Sequence, residues 1–470
     1  MIPPFSLALD RSKKASLAEQ IRAGILAAIN AGVLQPGARL PSWRDLAAQL
    51  GVARGTVRSA YDRLHDAQLI VTAGATGTHV ADRPPSATSR VDVVTEEESL
   101  PAMYTMFASG PGIFQMGVPA FECFPSGLFA RIRAKAARTE FAALRGFPDP
   151  RGEGELRREI AAHLALSRSI ECVPSQIIIT SGFAGALGLT LRALGLREGQ
   201  SAWMEEPGYP ITRHALQLAQ LTCVPVPVDN DGMDVDGGIE RAPDAAIAVV
   251  TAGQQAPLGP TLSLGRRLQL LDWASHTGAW IIEDDYLGEL QLRGRAAPAL
   301  ASLDRANRVI HIGSFSKTLS PTLRLGFIVV PPALVVPFGN AATCLAPAPG
   351  PAVQLATAAF MREGHYLRHL RRMKRIYAQR RDHLVAALEP FGLPARVAGL
   401  AMLLELPAST CDTSIAREAL ALGLAPSPLS QWYTHPASRR SGLLLGVTTV
   451  PESGLLASCD RLHTLIKQFS

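Results

Sequence analysis

Much of what this 470-residue chain is not can be read from what it lacks. Its six cysteines (Cys123, Cys172, Cys223, Cys344, Cys411, Cys459) are scattered, and no two have metal-ligand or redox spacing. They read as free thiols of a reducing compartment, not as a disulfide framework. The opening stretch, MIPPFSLALDRSKK, lacks the long apolar core of a secretory signal. The longest uncharged run lies between Arg324 and Arg362, and six prolines (Pro331, Pro332, Pro337, Pro347, Pro349, Pro351) interrupt it. No apolar helix of about 20 residues fits there. The expectation is a cytoplasmic protein with no membrane segment.

What remains is an ordinary globular composition, 47% hydrophobic and 18% charged, long enough for about two to three domains. The formal charge of +6 is unevenly spread. Residues 1–83 hold ten Lys/Arg against six Asp/Glu, and the other 387 residues add only +2. The first segment is therefore where a polyanionic partner is expected.

That segment reads as helix, helix, helix and hairpin. Leu17, Ile21, Ile25 and Ile29 recur at helical spacing behind Ser16, a good N-cap. Pro36-Gly37 stops this helix, Ser42 opens a second that Gly51 breaks, and Ala53–Ala67 is the third. Val57, Tyr61 and Leu64 share one face of the third helix, and Arg54, Thr56 and Arg58 another. Leu69–Val71 and Thr78–Val80 flank a Gly74–Gly77 turn, which suggests a wing. Cations at the start of a second helix after a Gly-containing turn suit the major groove of double-stranded DNA. Residues 83–111 have linker composition, with Pro, Ser and Thr and an acidic run Glu96–Glu98.

From 112 to 470 strand and helix patterns alternate. Ile177–Ile179, Ser201–Met204, Ile247–Thr251, Trp280–Glu283 and Val309–Ile312 read as buried strands, with helices Ala184–Leu194, Pro210–Gln220 and Leu264–His276 between them. The order predicts an α/β fold with a mostly parallel sheet, whose ligands sit beyond the carboxyl ends of the strands. Chemistry-bearing residues fall at those ends. Lys317 follows a strand, sits between Ser316 and Thr318, and has Ser314 three before it and Arg324 seven after. Such a lysine suits a Schiff base if it is held and desolvated; otherwise it is a solvated turn residue. Asp284-Asp285-Tyr286 could bind a metal, hold a cationic ring nitrogen or cap a helix. No histidine is near in sequence and no second acidic cluster follows, which argues against metal.

The run PGARLPSWRDLAAQLGVARGTVRSAYDRL closely resembles the winged-helix module of the GntR family. The resemblance implies DNA contacts from Arg44, Arg54, Thr56, Arg58 and the wing tip near Gly74 and Gly77. Ala53 departs from the usual Ser or Thr. EDDY, GSFSK and Arg324, with EEPGYP and FPDPRGEGELR upstream, resemble the fold-type-I pyridoxal-phosphate aminotransferases. Together, the chain resembles the MocR/GabR family of transcriptional regulators.

The resemblance implies pyridoxal 5'-phosphate held as an aldimine on Lys317, its ring nitrogen on Asp284 and its ring oxygen on Tyr286. It places the phosphate on Ser314, Arg324 and the backbone of Phe183 and Ala184, and sets Tyr209 on or beside the ring. Arg439 or Arg440 is the candidate for an effector carboxylate. A homodimer and a small amino-compound effector (or the cofactor itself) are implied as partners. Phe147, Phe183, Ala184, Gln254–Pro257, Leu287 and Ala401 depart from the family's polar pattern, so a looser cofactor grip and a different effector pocket are expected. Two other readings stay open: a working aminotransferase with an appended winged helix, and a regulator whose second domain is a cofactor-free scaffold.

Overall fold

Caps and breakers set the first elements. The computed structural model describes residues 7–72, 77–82, 112–142, 146–292 and 297–469. Helix α1 spans Leu17–Asn30, and the Ser16 hydroxyl accepts from the Glu19 N–H. Helix α2 spans Trp43–Leu50; Ser42 accepts from the Asp45 N–H at 3.2 Å and donates to its carboxylate at 2.7 Å. Gly51, at φ +63°, ends α2 in the left-handed conformation glycine takes without penalty. Helix α3, Arg54–Asp66, starts at Ala53 with no side-chain cap. Strands β1 (Ile70–Thr72) and β2 (Thr78–Val80) pair antiparallel, Ile70 opposite Val80. Ile21, Ile25, Leu46, Val57, Leu64 and Val80 form the core of this unit. The missing cap gives a prediction: Ala53→Ser stabilises α3 by about 1 kcal/mol, seen as slower amide exchange across Arg54–Asp66. Unchanged exchange would mean that the added hydroxyl does not reach the free N–H groups.

The chain divides into two units, Met1–Thr105 and Met106–Ser470. The division falls inside residues 83–111, read above as linker, which lie outside the described residues.

The second unit is built on an eight-stranded sheet. Its strands are β3 (Ile177–Thr180), β4 (Ser201–Glu206), β5 (Thr222–Asp229), β6 (Gly232–Met233), β7 (Ile247–Val250), β8 (Trp280–Asp284), β9 (Val309–Ser314) and β10 (Gly326–Val329). The order is β3-β10-β9-β8-β7-β4-β5-β6. Pairs β9/β8, β8/β7, β7/β4 and β4/β5 are parallel, while β10 runs antiparallel between β9 and β3. All five strands expected from sequence are present; β5, β6 and β10 are additions that the sequence reading did not separate from their surroundings.

Side-chain alternation along the strands feeds core clusters on both faces of the sheet. Ile282, Ile310 and Ile328 pack with helices Phe183–Ala193 and Val335–Leu345. Ile281 and Val309 pack on the other face with Trp203 and Trp273, whose rings stack at 3.9 Å. A small antiparallel sheet follows: β11 (Ala395–Ala398), β12 (Ala401–Glu405), β13 (Ser427–Pro428) and β14 (Gly442–Gly446), in the order β11-β12-β14-β13. Among the described residues no helix is long and apolar enough to cross a membrane.

Candidate functional site

The parallel strands end on one side of the sheet, and the singled-out residues gather there. At the end of β3, Gly182 (φ +87°) turns the chain into helix Phe183–Ala193. Its lack of a side chain leaves space: a Cβ there would stand 4.0 Å from the Arg324 guanidinium carbon and 4.0 Å from the Ser316 hydroxyl. Arg324 is itself left-handed, at φ +47°, an uncommon state for a residue with a Cβ. The Ser314 hydroxyl accepts from the Ser316 N–H at 3.1 Å and donates to the Ser316 hydroxyl at 3.0 Å. A guanidinium, two hydroxyls and the free N–H groups of a helix start therefore converge, a donor set suited to a phosphate. Ser316 stands out in the sequence only as a neighbour of Lys317; a hydroxyl two residues after Ser314 was the available signal.

Beside this cradle, the Lys317 ammonium donates to the Gly117 carbonyl at 2.5 Å. Burial lowers its pKa to about 8, against the opposing pull of Asp284. Burial pushes the Asp284 carboxyl well above the usual range; Asp285 and Glu205 push the same way, and Lys317 opposes them. No hydrogen bond from a described residue reaches the Asp284 carboxylate. Tyr286 and Tyr209 are both raised by burial and by Asp284. Tyr209 also tilts against Phe183 at 6.0 Å and Trp432 at 5.8 Å. Ala184 is exposed in the first turn of its helix.

Glu205 was missed in the sequence, although EEPGYP was marked. It is buried, its pKa is raised to about 7 by burial, and it accepts from the Thr251 N–H and hydroxyl at 3.0 and 2.5 Å. Nothing local distinguishes it from Glu206, which caps the turn at Thr434 instead.

The two aspartates part company because side chains alternate. Asp285 faces the other core, where it pairs with Arg168 at 2.7 Å. His311 stands 3.0 Å from Glu283 and 3.8 Å from Asp285. The acidic pair thus has no histidine near it in sequence but does have one in space: strand pairing sets Glu283 against His311. Among the described residues no group of three or more His, Cys, Asp or Glu could hold a metal ion.

The structure draws neither Arg439 nor Arg440 into the group around Lys317. Both are exposed, and Arg440 pairs with Glu405 at 2.9 Å.

In the first unit, Arg44, Arg54 and Arg58 are exposed and Thr56 is half-buried. Arg58 lies 4.0 Å from Asp62 along α3, and the Arg44 guanidinium lies over the Trp43 ring at 4.9 Å. Arg39, not singled out before, sits beside Gly77. Gly74 lies outside the described residues.

The fold and this cluster define an aminotransferase-type domain, carried behind a winged helix-turn-helix. Residues 117–421 match the family described as Aminotransferase class I and II, and residues 17–80 match the Bacterial regulatory proteins, gntR family. The chain is 35% identical over 453 residues to the "Probable rhizopine catabolism regulatory protein MocR" of Rhizobium meliloti, covering 93% of this chain and 91% of that one. It is 31% identical over 487 residues to the "HTH-type transcriptional regulator TauR" of Rhodobacter capsulatus, covering 99% and 100%. The solved kynurenine aminotransferase of Pyrococcus horikoshii superposes with a TM-score of 0.69 at 25% identity, covering 81% of this chain and 98% of that one. The chain belongs to the MocR-type family of HTH transcriptional regulators, in which a gntR module precedes an aminotransferase class I and II domain.

Proposed function

We propose that the second domain binds pyridoxal 5'-phosphate at Lys317 and senses an amino compound or the cofactor itself, and that this state is passed to the winged helix on promoter DNA. The residues present fit that cofactor. Asp284 is a buried carboxylate that no described residue reaches with a hydrogen bond, and a protonated ring nitrogen would supply one. Ser314, Ser316, Arg324 and the N–H groups at Phe183 and Ala184 would hold the phosphate. The observation that carries the reading is this convergence, with an unsatisfied acid on one side of Lys317 and a donor cradle on the other.

When bound, the cofactor supplies an electrophilic carbonyl and an electron-withdrawing ring. The protein's own groups do the rest. The Gly117 carbonyl orients Nζ of Lys317. Burial keeps a usable share of that amine neutral. Tyr286 remains a phenol and so keeps a proton to donate. Tyr209, backed by Phe183 and Trp432, offers a flat apolar wall. An effector amine that competes with Lys317 for the carbonyl would free the lysine and change the contacts around it. Coupling of that change to DNA binding is a matter of differential affinity between two states. The domain acts as a homodimer in this reading, and Phe147, fully exposed, belongs to the face a second subunit would cover.

On the DNA side, Arg54 and Arg58 project from the start of α3. Arg54→Ala and Arg58→Ala each cost about 1–3 kcal/mol of specific binding if they read bases. Anisotropy titrations on the DNA upstream of the chain's own gene check this. Equal affinities of wild type and both variants would remove α3 from the groove. Steady-state turnover of an amino acid with a keto-acid acceptor would instead favour the enzyme reading.

A further inference from the structure

The turn that carries Lys317 is fastened at the next residue, Thr318, by two side chains that have no part in the site described above. Residues 315–319 follow β9 as a turn, closed by the Leu319 N–H on the Phe315 carbonyl at 2.8 Å. Phe315 and Leu319 are buried in the core and anchor its two ends. Between them the buried backbone needs partners of its own. These come from helix His365–Leu388, whose first turn puts Tyr366 and His369, three residues apart, on one buried face. The Tyr366 hydroxyl donates to the Thr318 hydroxyl at 3.2 Å, and that hydroxyl donates in turn to the Phe315 carbonyl at 3.5 Å. Nε2 of His369 lies 2.9 Å from the Thr318 carbonyl. A carbonyl only accepts, so Nε2 carries the proton. Among the described residues Nδ1 of His369 has no partner, so the ring makes this one hydrogen bond.

Both rings are themselves braced. His163 meets the Tyr366 ring edge-on at 5.3 Å and is held by Glu289 at 2.6 Å. Phe124 stands edge-on to His369 at 5.7 Å. Burial lowers the His369 pKa against the pull of the Thr318 bond, and Arg372 adds to the lowering. The ring is therefore neutral where Lys317 titrates, and Nε2 keeps its proton for the carbonyl. We infer that Tyr366 and His369 are positioning residues for Lys317: they fix the peptide on its C-terminal side and so keep its amine on the Gly117 carbonyl, out of water. The inference rests on Lys317 being the lysine that meets the cofactor. A lysine side chain is a flexible four-carbon stem, and it cannot be aimed if its backbone also turns. One donor would satisfy the Thr318 carbonyl. Two donors, one on the carbonyl and one on the side chain, stop the residue from rotating.

The test uses the full chain, freed of any cofactor by dialysis against hydroxylamine. It is acetylated with acetic anhydride over a range of pH, and the Lys317 peptide is read by mass spectrometry. Only the neutral amine reacts, so the midpoint of the profile reports the lysine's own titration whether or not a cofactor binds. The wild-type midpoint is expected at about 8. His369→Leu should raise it by about one pH unit or more, toward the 10.5 of an ordinary lysine. His369→Gln, which keeps an N–H donor, should bring it back. Tyr366→Phe keeps the ring in the core and removes only the hydroxyl; it should move the midpoint the same way by less, and it decides the matter if His369→Leu does not fold. Variants that melt at lower temperature with an unmoved midpoint would overturn the inference and leave Tyr366 and His369 a purely stabilising role. A shift that glutamine fails to reverse would overturn the donor's role and assign the effect to ring packing. Unlabelled samples mixed with pyridoxal phosphate separate this inference from the reading beneath it. A midpoint that moves in the variants, with no visible band in the wild type, keeps the positioning and removes the cofactor. An unmoved midpoint with a wild-type band does the reverse.

Discussion

Lys317→Ala protein, mixed with pyridoxal phosphate and desalted, is expected to be colourless where the wild type keeps a visible absorbance band. The expectation follows from chemistry that only this lysine can supply at the strand ends. With its pKa at about 8, roughly a tenth of its amine is neutral at pH 7, against well under a thousandth for an ordinary lysine near 10.5. Only the neutral amine attacks a carbonyl. The same value sets a pH profile for loading the apo-protein. The neutral form is present above the lowered pKa and is lost as pH falls through it. The loading rate should rise about tenfold per unit below pH 8 and level off above it. Asp284→Asn should weaken the band but not abolish it, because in the proposed arrangement that side chain would hold the ring rather than the carbonyl. A Lys317→Ala protein that keeps the band after desalting, or a flat pH profile, would sink the assignment of Lys317.

How much of this was legible beforehand depends on the length scale. Strands β3, β4, β7, β8 and β9 were readable because each is buried along nearly its whole length and so appears as a near-continuous apolar run. The winged helix was readable from its breakers and caps, Ser16, Ser42 and Gly51, all of which act locally. Lys317, Asp284, Ser314 and Arg324 were readable as strand-end residues, and the topology then explains why strand ends meet. What sequence could not give was pairing. β10 lies between β3 and β9, so its neighbours are far along the chain. Which face Asp284 takes is decided by where β8 begins, and a shift of one residue would exchange it with Asp285. Glu205, Ser316 and His311 join their clusters only once β4, β8 and β9 are aligned. Arg439 and Arg440 come from the family resemblance as candidates for an effector carboxylate; both are exposed, and Arg440 pairs with Glu405.

Arg168→Ala should be the most destabilising single substitution outside the apolar core. Its side chain is 1% exposed, its Nε donates to Asp285 at 2.7 Å and its Nη1 donates to the Ala297 carbonyl at 2.8 Å. The pair sits against Gly288, where a Cβ would stand 2.4 Å from the Asp285 carboxylate and 2.8 Å from the guanidinium carbon. Only glycine leaves room there. Removing the guanidinium strands a buried carboxylate close to Glu283, with His311 between the two acids. Asp285 already has a raised pKa from burial, and Arg168 is the largest influence opposing that. Breaking a buried pair from one side costs about 3–5 kcal/mol, a large part of the 5–15 kcal/mol that about covers a domain's whole stability. Removing both charges leaves no stranded ion, so Arg168→Met/Asp285→Leu should be more stable than Arg168→Ala. Urea titrations of the three proteins measure this directly. The consequence for function runs through one peptide bond: Asp285 follows Asp284, and a loosened β8 end moves the carboxylate proposed to hold the cofactor ring. Arg168→Ala should therefore bind pyridoxal phosphate more weakly even under conditions where it remains folded. Cofactor affinity equal to wild type in the folded variant would separate the ion pair from the site and confine its role to stability.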